Sequence, residues 1–217
     1  PIVFLFGLLA NLPTFIIPYV IKKTDVSLSG TILASYPIYT ILLSIIFLKE
    51  QLEIFQVFGV MVIILGMFLV SRVKSTQTTT TKWLPVAVLG SAVLGTGYFI
   101  SKFSIMHYGL NTYIFIAALS NIPGLILIRF LDRSAINLKY NIRILAVSLM
   151  GNFLMPLGVL FLYISLNKGP ASLISPIVST YPAITVILAH YYLKERLDRT
   201  KIYGVITIIL GILLLAI

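Results

Sequence analysis

The fold is decided by YPIYTILLSIIFLKEQLEIFQVFGVMVIILG, Tyr36–Gly66, because the chain carries this pattern twice. The second copy, YPAITVILAHYYLKERLDRTKIYGVITIILG, runs from Tyr181 to Gly211. Tyr-Pro, Leu-Lys-Glu-x-Leu and Gly-x6-Gly recur in one register, each offset by 145 positions (181 − 36) without a gap. Aligning 27–70 with 172–215 gives 18 identical positions of 44. Shared Ile and Leu alone would say little, since apolar helices resemble one another. The shared punctuation is what marks an internal duplication.

Composition places both copies in a membrane. Of 217 residues, 59% are hydrophobic and only 10% charged, against about 25% charged in a soluble domain. The charges gather between eight apolar runs, at about 2–21, 28–48, 54–71, 83–101, 111–131, 144–166, 171–193 and 202–217, each near the ~20 residues that cross hydrocarbon as a helix. The runs are continuously apolar rather than alternating, which disfavours a β-barrel. The chain is therefore read as an all-α polytopic membrane protein whose first partner is the lipid bilayer. Its net charge of +10 fits Lys and Arg placed in loops for topology, not nucleic-acid binding. There is no Cys, so disulfides and thiolate metal sites are excluded. No catalytic triad, metal cluster, P-loop or cofactor fingerprint stands out, so neither an enzyme nor an ATP-driven pump is expected. Gly90, Gly95 and Gly97 follow no strand and make no nucleotide motif.

The Thr-rich segment 74–82 reads as a linker between a first repeat, 1–73, with three spans, and a second, 83–217, with five. If the duplicated unit has five helices, the parent has ten, of which eight are visible and two precede Pro1. Spans two and seven are five apart. Five is odd, so the copies point in opposite directions across the bilayer, giving two inverted-topology repeats. Loops after spans one, three, five and seven carry 13 Lys and Arg, and the others 3. That bias puts the first set in the cytoplasm and the C-terminus outside.

The pattern Pro37…Leu48-Lys49-Glu50-x-Leu52…Gly59…Gly66 and its twin Pro182…Leu193-Lys194-Glu195-Arg196-Leu197…Gly204…Gly211 resemble the EamA-type drug/metabolite transporter superfamily. Gly169-Pro170-Ala171-Ser172 strengthens the resemblance, which covers the whole chain. It implies ten helices in two inverted five-helix repeats, with the eight spans here matching family helices three to ten. It also implies a central cavity that passes small metabolites, amino acids or drugs. The family commonly keeps both termini in the cytoplasm, opposite to the charge bias of this chain.

Candidate site residues follow from polarity inside apolar runs. Asn121 and Asn152, like Asn11, need partners in hydrocarbon and so face the interior, either bonding helix to helix or touching solute. Asn121 sits beside a kink at Pro123. Tyr36 and Tyr181 each precede a proline that bends its span, a symmetric pair of cavity aromatics or of packing residues. Tyr98 and Lys102 share a helix face. If span four runs on through Met106, Lys102 lies within the membrane and binds a carboxylate or phosphate there; otherwise it snorkels. His190 is a solute contact or proton relay, or one member of an aromatic belt with Tyr191 and Tyr192. Glu50 and Glu195 read better as helix N-terminal partners than as ion sites. Gly59 with Gly66, Gly204 with Gly211, and Ser91 with Gly95 make small faces for close helix packing.

All six acidic residues lie at span ends or in loops. This argues against a carboxylate-driven antiporter of cations and points to neutral, zwitterionic or anionic solutes. The expected function is secondary transport of small organic solutes by alternating access, in a multi-pass plasma-membrane protein. The competing reading is a membrane scaffold or receptor that kept the fold without transporting.

Overall fold

A computed structural model describes residues 2–11, 33, 35–70, 84–131, 142–193 and 199–215. The linker 74–82, most of the first connector and Glu195 lie outside the described residues. Among those described, regular structure is all helical: α1 Ile2–Asn11, α2 Tyr36–Leu48, α3 Ile54–Val70, α4 Leu84–Tyr108, α5 Leu110–Leu131, α6 Ile142–Lys168, α7 Ala171–Val178, α8 Tyr181–Leu193 and α9 Arg199–Leu215. Within them Val88–Tyr108 and Leu149–Lys168 are long and apolar enough to cross a membrane alone.

Two elements depart from the expected spans. The segment expected at 171–193 is two helices, α7 and α8, separated at Ser179-Thr180. Pro176 lies inside α7, and Pro182 is the second residue of α8. Neither can donate to the carbonyl four residues back, so two lost bonds within six residues break the helix instead of bending it. Hydroxyls compensate: Ser179 Oγ donates to Pro176 O (2.6 Å) and Thr180 Oγ1 to Ile177 O (2.7 Å). The first copy has a turn at the matching place. A turn at Ser35 precedes α2, and Pro37 falls in its first turn, where a missing N–H costs nothing. The second departure is α4, which continues to Tyr108 before Gly109, at φ +81°, turns the chain into α5. Lys102 is therefore inside a helix.

The packing is inverted relative to a soluble protein. Large apolar residues such as Ile46, Phe47, Phe58, Phe68, Phe153 and Leu213 are exposed, whereas Thr40, Ser44, Ser104, Ser120, Ser172 and Ser175 are fully buried. Small hydroxyl residues let helices approach; Thr40, Ser120 and Ser172 bond through their hydroxyls, whereas Ser44, Ser104 and Ser175 are buried without a hydroxyl partner among the described residues. Thr40 Oγ1 donates to Gly95 O of α4 at 3.0 Å. A Cβ on Gly95 would collide with Tyr36 O and approach Tyr39 Cβ at 2.7 Å, so only glycine permits this crossing of α2 and α4.

The most extensive contact joins α3 to α9. A Cβ on Gly66 would lie 2.9 Å from Gly204 O, and one on Gly204 2.9 Å from Gly66 O. Gly59 and Gly211 oppose one another in the same reciprocal way, at 3.0 and 2.9 Å. Rising numbers on α3 meet falling numbers on α9, so the two run antiparallel, backbone against backbone. Ile63, Met67, Val70 and Ile208 close the seam with Ala183.

Candidate functional site

A cavity of about 330 Å³ lies where α1, α5 and α6 meet. Helical spacing builds its walls. Ile114, Ala117, Ala118 and Asn121 recur at i, i+3, i+4 and i+7 on α5, and Met155, Pro156, Val159, Leu160 and Tyr163 share a face of α6. Asn11 enters from α1. The walls are mostly apolar, with two amides and a phenol as their polar groups.

The amides are tightly oriented. Asn11 Nδ2 donates to Ala117 O at 3.1 Å and to Ser120 Oγ at 2.8 Å. Asn121 Nδ2 donates to the same carbonyl at 3.0 Å, and Ser120 Oγ reaches it at 2.8 Å. α5 continues through Pro123 to Leu131 as one helix. The expected interior placement of Asn11 and Asn121 is met by this shared carbonyl.

Tyr163 connects the cavity to a chain of phenols. Its ring meets Tyr113 edge-on at 5.1 Å, and Tyr113 OH bonds Ser101 Oγ at 2.8 Å. Tyr98 lies near Tyr163. Its ring packs tilted against that of Tyr36 at 4.9 Å, and Tyr36 OH donates to Ser175 O at 3.3 Å. Tyr181 lies near both Tyr36 and Tyr98. The expected residues Tyr36, Tyr98 and Tyr181 thus come together, while Tyr113 and Tyr163 were missed. Their signal was present in the sequence. Tyr163 falls on the helical face that begins with Asn152 and Pro156, and Tyr113 lies one turn before Ala117.

Lys102 is buried, but its ammonium is taken up by main chain. Nζ donates to Leu166 O at 2.6 Å and to Gly169 O at 2.8 Å. These carbonyls end α6, where cations are favoured. Glu50 treats the following helix in the complementary way. Oε1 accepts from Ala171 N at 2.9 Å, and Oε2 from Ser172 N at 2.9 Å and Ser172 Oγ at 2.6 Å. Lys49, at φ 54°, caps α2 in the left-handed conformation and turns Glu50 toward α7. Glu50 therefore serves a helix N-terminus, as expected of it, but that of α7 rather than of the nearby α3. The Glu50 charge also acts on Lys102, so acid and base bracket one connector, Gly169-Pro170.

Two expected residues stand apart. His190 is on the exposed side of α8 with its ring 5.6 Å from Tyr191, away from the cavity lining. Asn152 is in α6, one turn before the cavity residue Pro156, and its side chain lies outside the described residues.

Among the described residues, an all-helical body with apolar flanks, buried hydroxyls and glycine seams is that of an integral membrane protein. The comparisons narrow this class. The chain belongs to the EamA-like transporter family, which it matches over residues 1–72 and 81–217. It is 36% identical over 138 residues to an uncharacterised protein of Methanocaldococcus jannaschii, covering 61% of this chain and 94% of that one. An uncharacterised transporter of Buchnera aphidicola subsp. Schizaphis graminum is 26% identical over 208 residues, 94% of this chain and 69% of its own length. The protein PagO of Salmonella typhimurium is 24% identical over 190 residues, 86% and 62% of the respective chains. A solved crystal structure shares the fold at TM-score 0.75 and 15% identity, over all of this chain and 78% of its own.

Proposed function

We propose that the protein is a secondary transporter of small organic solutes, working by alternating access through the α1–α5–α6 cavity as a multi-pass protein of the plasma membrane. The observation that carries this reading is the cavity itself. Its volume of about 330 Å³ falls at the small end of ligand sites, and convergent polar groups in an otherwise apolar wall are what such sites use to orient a solute.

The inverted-repeat reading is supported by the glycine seam. Gly59 and Gly204 are duplicates, as are Gly66 and Gly211, yet each glycine opposes the duplicate of the other. Helices related by a two-fold axis in the membrane plane pack in this reciprocal, antiparallel manner. The breaks before Tyr36 and Tyr181 then act as paired hinges. Tyr36, Tyr98 and Tyr181 join them to the cavity through Tyr163. Lys102 and Glu50 fix the α6–α7 connector, so Lys102 acts on the frame and not on solute charge.

The test is uptake into proteoliposomes across amino acids, purines and sugar phosphates, with Asn121→Leu as the site variant. Saturable flux that falls at least tenfold in a folded Asn121→Leu protein is expected. Absence of flux over the whole panel, or flux untouched by this variant, overturns the assignment.

A further inference from the structure

The cavity carries information on the chemistry of its solute, because the orientation of its amides is forced. Ala117 O accepts from Asn11 Nδ2 and from Asn121 Nδ2. Turning either amide over would set an amide oxygen against that carbonyl oxygen at the same separation, two acceptors with no proton between them. Both nitrogens are therefore held toward α5. Asn11 spends both of its N–H groups there, the second on Ser120 Oγ. What remains of Asn11 for the cavity is Oδ1, and Asn121 keeps Oδ1 and one N–H.

Tyr163 contributes a hydroxyl that can serve in either role. Among the described lining residues none carries a formal charge. Acceptor sites thus outnumber donors, and the rest of the wall is hydrocarbon, from Ile114, Met155, Val159 and Leu160.

We infer that this cavity selects solutes with an apolar body and an uncharged hydrogen-bond-donating head, such as a primary amide, over solutes of the same shape whose head only accepts. The inference rests on the reading of the cavity as the solute site. Donor selection follows from satisfying the amide oxygens in a wall that is otherwise apolar. A head offering N–H meets Oδ1 of both asparagines, whereas a carboxylate or ester sets oxygen against oxygen.

Three probes of one shape separate donor selection from charge: 3-phenylpropanamide, methyl 3-phenylpropanoate and 3-phenylpropanoate. Their binding to the protein in nanodiscs is measured by equilibrium dialysis and corrected for partition into empty discs. The amide is expected to bind about tenfold tighter than the ester, with the acid no tighter than the ester. In Asn121→Leu the gap between amide and ester should close. Because wild-type protein alone ranks the three probes, the decision stands even if that variant does not fold. Equal binding of amide and ester overturns the inference, as does tightest binding of the acid, or no saturable binding of any probe. The two readings fail separately. Amide preference without flux leaves this inference and removes transport, and flux without amide preference does the reverse.

Discussion

Replacing Glu50 by Gln tests whether the carboxylate holds the α6–α7 connector. It accepts three hydrogen bonds, from Ala171 N, Ser172 N and Ser172 Oγ. Gln keeps one oxygen but turns an NH₂ toward the remaining donors, so at least one bond is lost and its donor is left facing another donor. Hydrogen bonds to a charged group contribute about 1.5–3 kcal/mol each, and the charge at a helix N-terminus roughly 0.3–1 kcal/mol more. The sum is about 2–4 kcal/mol. Glu50 is half-buried, so solvent screening argues for the lower end, about 2 kcal/mol. For a chain of this size, 1 kcal/mol moves the midpoint by about 2–4 °C, which gives a loss of roughly 4–8 °C in apparent Tm. The assay is thermal unfolding of purified protein in detergent, followed by intrinsic fluorescence, with Glu53→Gln as control. Glu53 is exposed and is engaged through its backbone, donating N–H to Gln56 Oε1 and accepting from Val57 N, so its replacement should leave the midpoint unchanged. A Glu50→Gln shift no larger than that of the control would refute the bracket.

Three further outcomes follow from the same contacts. Lys102→Met removes both donors to Leu166 O and Gly169 O; apparent Tm should fall by roughly 4–8 °C for about 2 kcal/mol, and flux of anionic and neutral solutes should fall together, whereas selective loss of anions returns Lys102 to the solute site. Gly66→Ala forces a Cβ against Ile208 N and Gly204 O, at 2.8 and 2.9 Å, and should cost about 1–3 kcal/mol; added Gly204→Ala should cost less than its own single effect, since one separation of α3 and α9 relieves both, and strict additivity in Tm would contradict the reciprocal seam. Lys49→Gly relieves a left-handed cap at an exposed position, and should raise apparent Tm by about 1–3 °C; a lower midpoint would show that the Lys49 side chain matters more than its backbone.

Legibility in the sequence followed the range of the interaction. The Tyr-Pro breaks and the seven-residue glycine spacing were readable because they act within one or two helical turns. A proline removes its own hydrogen bond wherever it stands, and Gly59 and Gly66 share a face by geometry alone. That the break at Ser179-Thr180 would be complete needed two prolines and two hydroxyls acting together. Glu50 illustrates the opposite case. Its preference for a helix N-terminus was readable, but its partners lie 121 and 122 positions away, and the nearest helix in sequence was the wrong one. Lys102 was singled out for its charge, yet its partners are carbonyls, which every residue carries and no sequence pattern marks. The cavity was half legible. Asn11 and Asn121 stood out as amides in hydrocarbon, while Tyr163 was one of 12 tyrosines, distinguished only by its register with Pro156.

The duplicated stretch and the cavity occupy different parts of the molecule, and this bears on how the protein works. Contacts between the two copies fall on their shared marks. Gly59 opposes Gly211, Gly66 opposes Gly204, Tyr36 OH reaches Ser175 O, and Glu50 binds Ser172. The cavity is lined instead by α1, α5 and α6, outside both copies. The glycines that the duplication keeps alike are those packed against the other copy, Gly59 on the duplicate of Gly66 and Gly66 on the duplicate of Gly59, where one sequence must satisfy two reciprocal positions. A solute bound across the repeats meets no such requirement, since its two ends differ. The strongest sequence signal therefore describes the frame that joins the two copies. On the proposed reading of the cavity, specificity is to be sought outside the copies, at the asparagine amides that Ala117 holds in place.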